Sequence, residues 1–264
     1  MPALSPLVHV AIYLAVTLLG LVCGVAVNAL ADQVAGDEEP PWRASTCRKC
    51  GKPLLAARRM PFLSLSRSRR ACASCGQPAS LRRPALEIAL AIVFPLLLAH
   101  LWEPASAVRL NPWALFAIDA AGCAVLAFVF AVDLEHHLIL DVALYPAALA
   151  LLLVALFFDH KTFAGMLFGV VLCGGLFLLF YGLGYLLYRQ EALGFGDVKL
   201  AAFIGLLVGW PAVIQTLVFA ALFGAAVSVL LLGLGNATRR TFIPYGVFLA
   251  VGAVLALLLA VPFW

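Results

Sequence analysis

Long apolar stretches divide this chain, and they restrict its possible folds more than any other feature. A helix needs about 20 predominantly apolar residues to cross a bilayer. The sequence predicts eight such helices, at residues 7–30, 84–102, 111–132, 141–158, 162–188, 198–210, 211–235 and 243–264. The sixth stretch is short, so the predicted number of spans is eight, plus or minus one. The first stretch lacks the basic start and the cleavage site of a signal peptide, so we expect it to be retained.

Composition supports a membrane protein and excludes several other classes. Of the 264 residues, 65% are hydrophobic and 11% are charged, whereas soluble domains are about half apolar and about a quarter charged. An ordinary soluble enzyme and a disordered protein are therefore excluded. The net charge of +4 is small and unevenly distributed, so we expect no nucleic-acid partner. The apolar stretches are continuous rather than alternating, which favours an all-α polytopic membrane protein over a β-barrel.

Basic residues predict how the chain is oriented in the bilayer. Eleven of the seventeen Lys and Arg residues lie between residues 31 and 83, and with eight spans only Arg109 and Lys161 fall on the opposite face. Cytoplasmic loops are enriched in Lys and Arg, so the long loop is predicted to be cytoplasmic. This gives three parts, a first transmembrane helix at 1–31, a cytoplasmic loop domain at 32–84 and a second membrane domain at 85–264.

Two pairs of cysteines in the cytoplasmic loop predict a metal site. Each pair has the spacing Cys-x-x-Cys and is followed by glycine; the four residues are Cys47, Cys50, Cys72 and Cys75. Two such turns are typical of a four-cysteine tetrahedral zinc site. Disulfides or free thiols are the alternatives, and a cytoplasmic location disfavours disulfides. A closed four-thiolate site has no open position for water, so the predicted Zn²⁺ is structural.

Two aspartates are predicted to meet at the cytoplasmic face of the membrane. Asp133 ends the third stretch, and Asp197 opens the sixth within the motif Gly194-Phe195-Gly196-Asp197. Ionisable groups at a membrane are costly and are therefore candidates for function. Two neighbouring carboxylates would share one proton, so that one acts as general base and the other as general acid. This is the chemistry of an aspartic protease, and Gly194 and Gly196 would let the backbone open for a substrate.

Structural roles remain alternatives for the residues around these aspartates. Asp197 and, more readily, Asp141 could cap the helices that follow them. Lys199 could extend to the interface, hold a substrate carboxylate or tune Asp197. A transporter with an acidic ion path and a non-catalytic assembly factor are alternative functions for the whole chain.

In order and spacing, the motifs resemble those of the type IV prepilin peptidases, a family of intramembrane Gly-x-Gly-Asp aspartic proteases. The resemblance covers most of the chain and includes both cysteine pairs. Its other motifs lie at residues 24–28, 84–87, 133–141, 194–199 and 243–246.

This resemblance implies a function and a set of site residues. Asp133 and Asp197 would be the catalytic pair, with Gly194, Gly196, Lys199 and Asp141 as supporting motif residues. The substrates would be prepilins or pseudopilins at the bacterial inner membrane, cut on the cytoplasmic side of the bilayer. Many members then methylate the new N-terminus with S-adenosylmethionine.

The sequence departs from the family pattern in the loop. A Glu-Asn pair often precedes the loop proline, but here Arg58-Arg59-Met60 precedes Pro61, which leaves the methyltransferase activity open. Leu140 replaces a usual proline, and Ala31-Asp32-Gln33 replaces Arg-Leu-Pro. None of these changes removes a candidate catalytic aspartate.

The leader of such a substrate is basic, so acidic or polar residues are candidate contacts for it. The candidates are Glu87, Glu135 and Asn28, together with Asp141.

Overall fold

The structure is a computed structural model that describes residues 5–34, 50, 74–75, 81–102, 111–156, 160–189, 193–234 and 244–259. Within these residues the secondary structure is entirely helical, and eight helices correspond one to one with the eight predicted apolar stretches. Their bounds are α1 Pro6–Val34, α2 Arg82–Leu101, α3 Pro112–His136, α4 Asp141–Ala155, α5 His160–Tyr188, α6 Phe195–Val208, α7 Ala212–Gly233 and α8 Tyr245–Leu259.

Five helices are long and apolar enough to cross a membrane, namely α1, α2, α3, α5 and α7. The other three, α4, α6 and α8, have 14 or 15 residues. At 1.5 Å per residue they are about 22 Å long or less, shorter than a hydrocarbon core of about 30 Å. The predicted all-α membrane architecture is thus confirmed, while length and composition alone support five full spans.

The chain divides into two compact units, Met1–Leu96 and Leu97–Trp264. In the first unit, Gly20 and Gly24 lie on α1 four residues apart and face the backbone of α2. A β-carbon at Gly24 would lie 2.7 Å from the Cα atom of Glu87. Small residues at this spacing let two membrane helices approach closely, so the two glycines determine how α1 packs on α2.

In the second unit, α4 and α8 each contact both α3 and α6. This arrangement brings the C-terminal end of α3 and the N-terminal end of α6 to the same region. The closest crossing is between α5 and α6, where a β-carbon on either Gly169 or Gly205 would collide with the carbonyl group of the other glycine. Packing at this crossing leaves no room for any side chain.

We predict that Gly205→Ala lowers the free energy of unfolding by about 1–3 kcal/mol, the usual cost of overpacking. Thermal melting of the purified protein in detergent measures this. Gly175→Ala on α5 is the matched control, because a β-carbon there meets nothing within 4 Å. Equal melting temperatures for the two variants would contradict the close crossing.

Candidate active site

Asp133 lies in the last turn of α3 and is buried, with 5% of its surface exposed. The helix ends at His137, which adopts a left-handed conformation with φ of 54°. The backbone N–H of His137 donates to the carbonyl oxygen of Asp133 at 3.0 Å. A left-handed residue stops the helix and satisfies one of its free carbonyl groups. The Asp133 side chain is therefore held at a defined helix end.

Asp197 lies in the first turn of α6 and is also buried, with 9% exposed. The helix begins after Gly194, whose backbone is extended with φ of −68° and ψ of 136°. The N–H of Asp197 donates to the carbonyl oxygen of Gly194 at 3.0 Å. This turn leaves the carboxylate of Asp197 free of any capping role, so the capping alternative for Asp197 is wrong. Gly194 is the N-cap residue instead.

The N-terminus of α8 lies against both carboxylates. The backbone N–H of Val247 donates to Oδ2 of Asp133 at 3.1 Å, in a buried hydrogen bond. A β-carbon at Gly246 would lie 2.7 Å from Oδ2 of Asp133 and 3.3 Å from Oδ1 of Asp197. Because both oxygens are that close to one point, they are at most about 6 Å apart, the sum of the two distances.

This spacing allows one water molecule to contact both carboxylates. A hydrogen bond between oxygen atoms spans about 2.5–3.0 Å, so one water between the two groups can bridge a gap of that size. The negative charges of the two groups repel each other, which favours a state with one shared proton. Two carboxylates in such an arrangement can act on a bound water molecule, with one as general base and the other as general acid.

Comparison with known proteins identifies relatives along most of the chain. Residues 120–229 match the type IV leader peptidase family, and residues 18–101 match the bacterial peptidase A24 N-terminal domain. The chain is 34% identical to a Burkholderia pseudomallei protein over 83% of this chain and 68% of that protein. The chain belongs to the type IV leader peptidase family.

Other relatives extend the similarity over nearly the whole sequence. A Pseudomonas aeruginosa protein is 29% identical over 94% of this chain and 90% of its own length. An Aeromonas hydrophila protein is 30% identical over 84% of this chain and 75% of its own length. All three relatives carry the name prepilin leader peptidase/N-methyltransferase. No solved structure matches the chain. Family membership argues against the transporter and the non-catalytic assembly factor.

The second glycine of the family motif has a different role from the predicted one. Gly196 lies within the first turn of α6, so the backbone there is helical and not opened. A β-carbon at Gly196 would lie 3.0 Å from the Cβ atom of Ile139. Gly196 thus allows α6 to approach the segment between α3 and α4, because a larger residue would push this segment away from Asp197.

Lys199 and Asp141 form an ion pair in this leader peptidase family member. The Nζ atom of Lys199 lies 2.8 Å from each carboxylate oxygen of Asp141. It also lies 5.6 Å from the ring centroid of Tyr145 and 5.2 Å from that of Phe195. Because Asp141 is on α4 and Lys199 on α6, the pair joins the helix that follows Asp133 to the helix that carries Asp197.

This ion pair corrects two expectations about the residues beside the aspartates. Asp141 is the first residue of α4 after the N-cap residue Leu140, so the capping role is wrong. Lys199 contacts a carboxylate of its own chain, and the structure describes no Lys199 contact with Asp197. The carboxylate of Asp141 is 47% exposed and already engaged by Lys199, which makes it a weaker candidate for contact with a leader.

The other candidate substrate contacts lie in different surroundings. Asn28 and Glu87 are buried together in the first unit, with Asn28 Nδ2 donating to Glu87 Oε1 at 3.4 Å and to the Arg83 carbonyl oxygen at 3.0 Å. Glu135 is on α3, with its Oε2 atom 3.9 Å from Nε2 of His136. Buried Asn28 and Glu87 are placed to join α1 to α2, whereas Glu135 remains partly exposed.

Asp32 occupies the position of the weakened family motif after the first helix. It forms ion pairs of 2.6 Å with Arg82 and with Arg83. Residues 33 to 81 lie between these partners in the sequence, so the two ends of the long loop are joined at its base. Two arginines therefore neutralise the acidic residue that stands at the middle position of the replaced Arg-Leu-Pro motif.

The predicted zinc site falls largely outside the described residues. Cys50 and Cys75 are described, whereas Cys47, Cys72 and the Arg58–Pro61 segment are not. Among the residues that the structure does describe, no cluster of three or more His, Cys, Asp or Glu could hold a metal. The four-cysteine zinc site stays a prediction from sequence.

Sequence reasoning did not identify the Val247 N–H as a partner of Asp133. A backbone N–H is present at every residue except proline, so no residue type marks it. The sequence pointed to this region only through Gly246, which belongs to the motif at residues 243–246 that resembles the family pattern.

We predict that the Lys199–Asp141 pair contributes a small, measurable coupling to stability, because both side chains are partly solvated. A double-mutant cycle with Asp141→Asn and Lys199→Gln, followed by melting in detergent, measures the coupling energy. Additive effects of the two substitutions would mean that the pair contributes nothing.

Proposed function

We propose that this protein is a membrane-embedded aspartic endopeptidase that removes the leader peptide from type IV prepilins or pseudopilins. Asp133 and Asp197 would be its catalytic pair. Family membership and the printed names of the relatives support the reaction. The observation that carries the assignment of residues is the approach of two buried carboxylates to one point beside Gly246.

The proposed reaction needs only one water and the two carboxylates. The ionised carboxylate takes a proton from the water while the water oxygen attacks the scissile carbonyl carbon. The protonated carboxyl group gives its proton to the carbonyl oxygen, which forms a tetrahedral diol. The base then passes its proton to the leaving nitrogen as the C–N bond breaks, and the acid recovers a proton from the diol. Both carboxylates end in their starting states.

We place the active site at the cytoplasmic face of the inner membrane. Fifteen of the seventeen Lys and Arg residues fall on one side if all eight helices cross the bilayer, and basic loops favour the cytoplasm. The N-terminus of α6 and the C-terminal end of α3 would then both face that side. A leader on the cytoplasmic side could reach the pair Asp133 and Asp197, called the dyad below, without crossing the bilayer.

Replacing either aspartate by asparagine is expected to reduce leader cleavage at least ~1,000-fold, because an amide can neither accept nor donate the transferred proton. Cleavage of a prepilin in membranes, followed by mass spectrometry of the products, measures this. Asp141→Asn is the matched control, since it removes a carboxylate on α4 that contacts Lys199 instead of the dyad.

We expect Asp141→Asn to retain readily measurable cleavage. Full activity in both Asp133→Asn and Asp197→Asn would contradict the catalytic assignment.

The same mass spectrum records whether the new N-terminus carries a methyl group. We propose S-adenosylmethionine-dependent methylation as a second activity, since the relatives are named for both.

We also propose a structural Zn²⁺ bound by Cys47, Cys50, Cys72 and Cys75, because the donor set of four thiolates suits zinc. Purified protein should contain about one zinc per chain. Cys50→Ser should lower the zinc content, whereas Cys173→Ser on α5 should leave it unchanged. Elemental analysis of the purified variants tests this. Zinc-free wild-type protein would contradict the assignment.

A further inference from the structure

The first turn of α8 contacts the dyad without contributing a side chain to it. The backbone N–H of Val247 donates to Asp133, and Gly246 has no side chain that would crowd the two carboxylates. We infer that this helix N-terminus positions the two aspartates and keeps room for the attacking water. The inference rests on the proposed peptidase function, and it assigns Gly246 and Val247 as positioning residues for that reaction.

The Val247 N–H fixes one oxygen of Asp133. The first four N–H groups of a helix have no partner within the helix, and Val247 is the third residue of α8. Its N–H donates to Oδ2 of Asp133 at 3.1 Å in a buried site. Both this hydrogen bond and the positive end of the helix dipole favour a negative carboxylate. Asp133 is therefore held in one orientation, with one oxygen fixed by a donor that suits the ionised form of a general base.

The space around residue 246 is too small for any side chain larger than that of glycine. The backbone of Gly246 is helical. Among the described residues, only Gly209 is a glycine with positive φ, so backbone conformation does not explain the glycine at position 246. Alanine would suit the helical backbone of residue 246. Its methyl group, however, would lie 2.7 Å from Oδ2 of Asp133 and 3.3 Å from Oδ1 of Asp197. It would crowd both carboxylates and push Asp133 away from the Val247 N–H.

Packing fixes the position of this helix end. The ring centroid of Tyr245 lies 5.8 Å from that of Phe177 on α5 and 6.3 Å from that of Phe248. About two turns further along α8, a β-carbon at Gly252 would lie 2.6 Å from the carbonyl oxygen of Thr216 on α7. These contacts hold α8 against α5 and α7 and so fix where its first turn lies.

The first experiment compares Gly246→Ala with Gly182→Ala. Both replace a helical glycine, but a β-carbon at Gly182 meets nothing within 4 Å. We expect Gly246→Ala to lower kcat for leader cleavage ~100-fold, the effect of displacing a catalytic group by about 1 Å. KM should change less than about threefold, since substrate binding is not removed. Gly182→Ala should cleave at the wild-type rate.

The second experiment compares Val247→Pro with Val247→Ala. Proline removes the N–H and is tolerated in the first turn of a helix, whereas alanine keeps the N–H and shortens the side chain. We expect kcat of Val247→Pro to be at least ~10-fold below that of Val247→Ala, with similar KM, because a buried donor to the base is lost. Melting temperatures in detergent report whether each variant is folded.

The outcomes separate this inference from the proposed function. If Gly246→Ala is folded and has wild-type kcat, the inference is overturned even when Asp133→Asn and Asp197→Asn are inactive. If KM rises while kcat is unchanged, the first turn of α8 binds substrate and does not position the dyad. If wild-type protein cleaves no prepilin, the peptidase function itself fails, and this inference fails with it. If Val247→Pro is unfolded, Gly246→Ala alone decides.

Discussion

The burial of two carboxylates at helix ends is the constraint on which the site depends. Asp133 and Asp197 are both largely removed from solvent, and burying a charge without a partner is expensive. Two like charges at this spacing add a further cost. The structure offsets part of this cost with the Val247 N–H and the N-terminus of α8. A proton shared by the two carboxylates would offset more of it, and the proposed pair of general acid and general base needs such a proton.

Close helix packing allows this arrangement. The helices of the second unit approach one another at glycines, as at the Gly169–Gly205 crossing, and α8 is held close to α7 at Gly252. In a membrane, association depends on packing and hydrogen bonds because lipid is as apolar as the helices. A larger residue at one of these glycines would push the helices apart. The two aspartates and the first turn of α8 would then no longer keep their present distances. Packing and chemistry are therefore coupled through residues that have no functional group.

The polar contacts around the dyad are also internal supports. The Lys199–Asp141 pair joins α6 to α4, and Gly196 allows α6 to contact Ile139. Both features use residues of the motifs at 133–141 and 194–199. In the first unit, the Asn28–Glu87 hydrogen bond and the ion pairs of Asp32 have the same character. Within the described part of the chain, these polar contacts thus join helices to one another.

The amino-acid sequence by itself determined the helical class and the position of the eight helices, and it singled out the two aspartates that we propose as the catalytic pair. It could do so because apolar runs must become helices in lipid and because charges in such runs are rare enough to stand out. Tertiary structure alone decided that Asp141 pairs with Lys199, that Gly196 packs in a helix and that Val247 holds Asp133. These contacts join residues between 57 and 114 positions apart in the chain, or use a backbone group that every residue shares. No local pattern encodes them, because they depend on which helix ends meet once the bundle is packed.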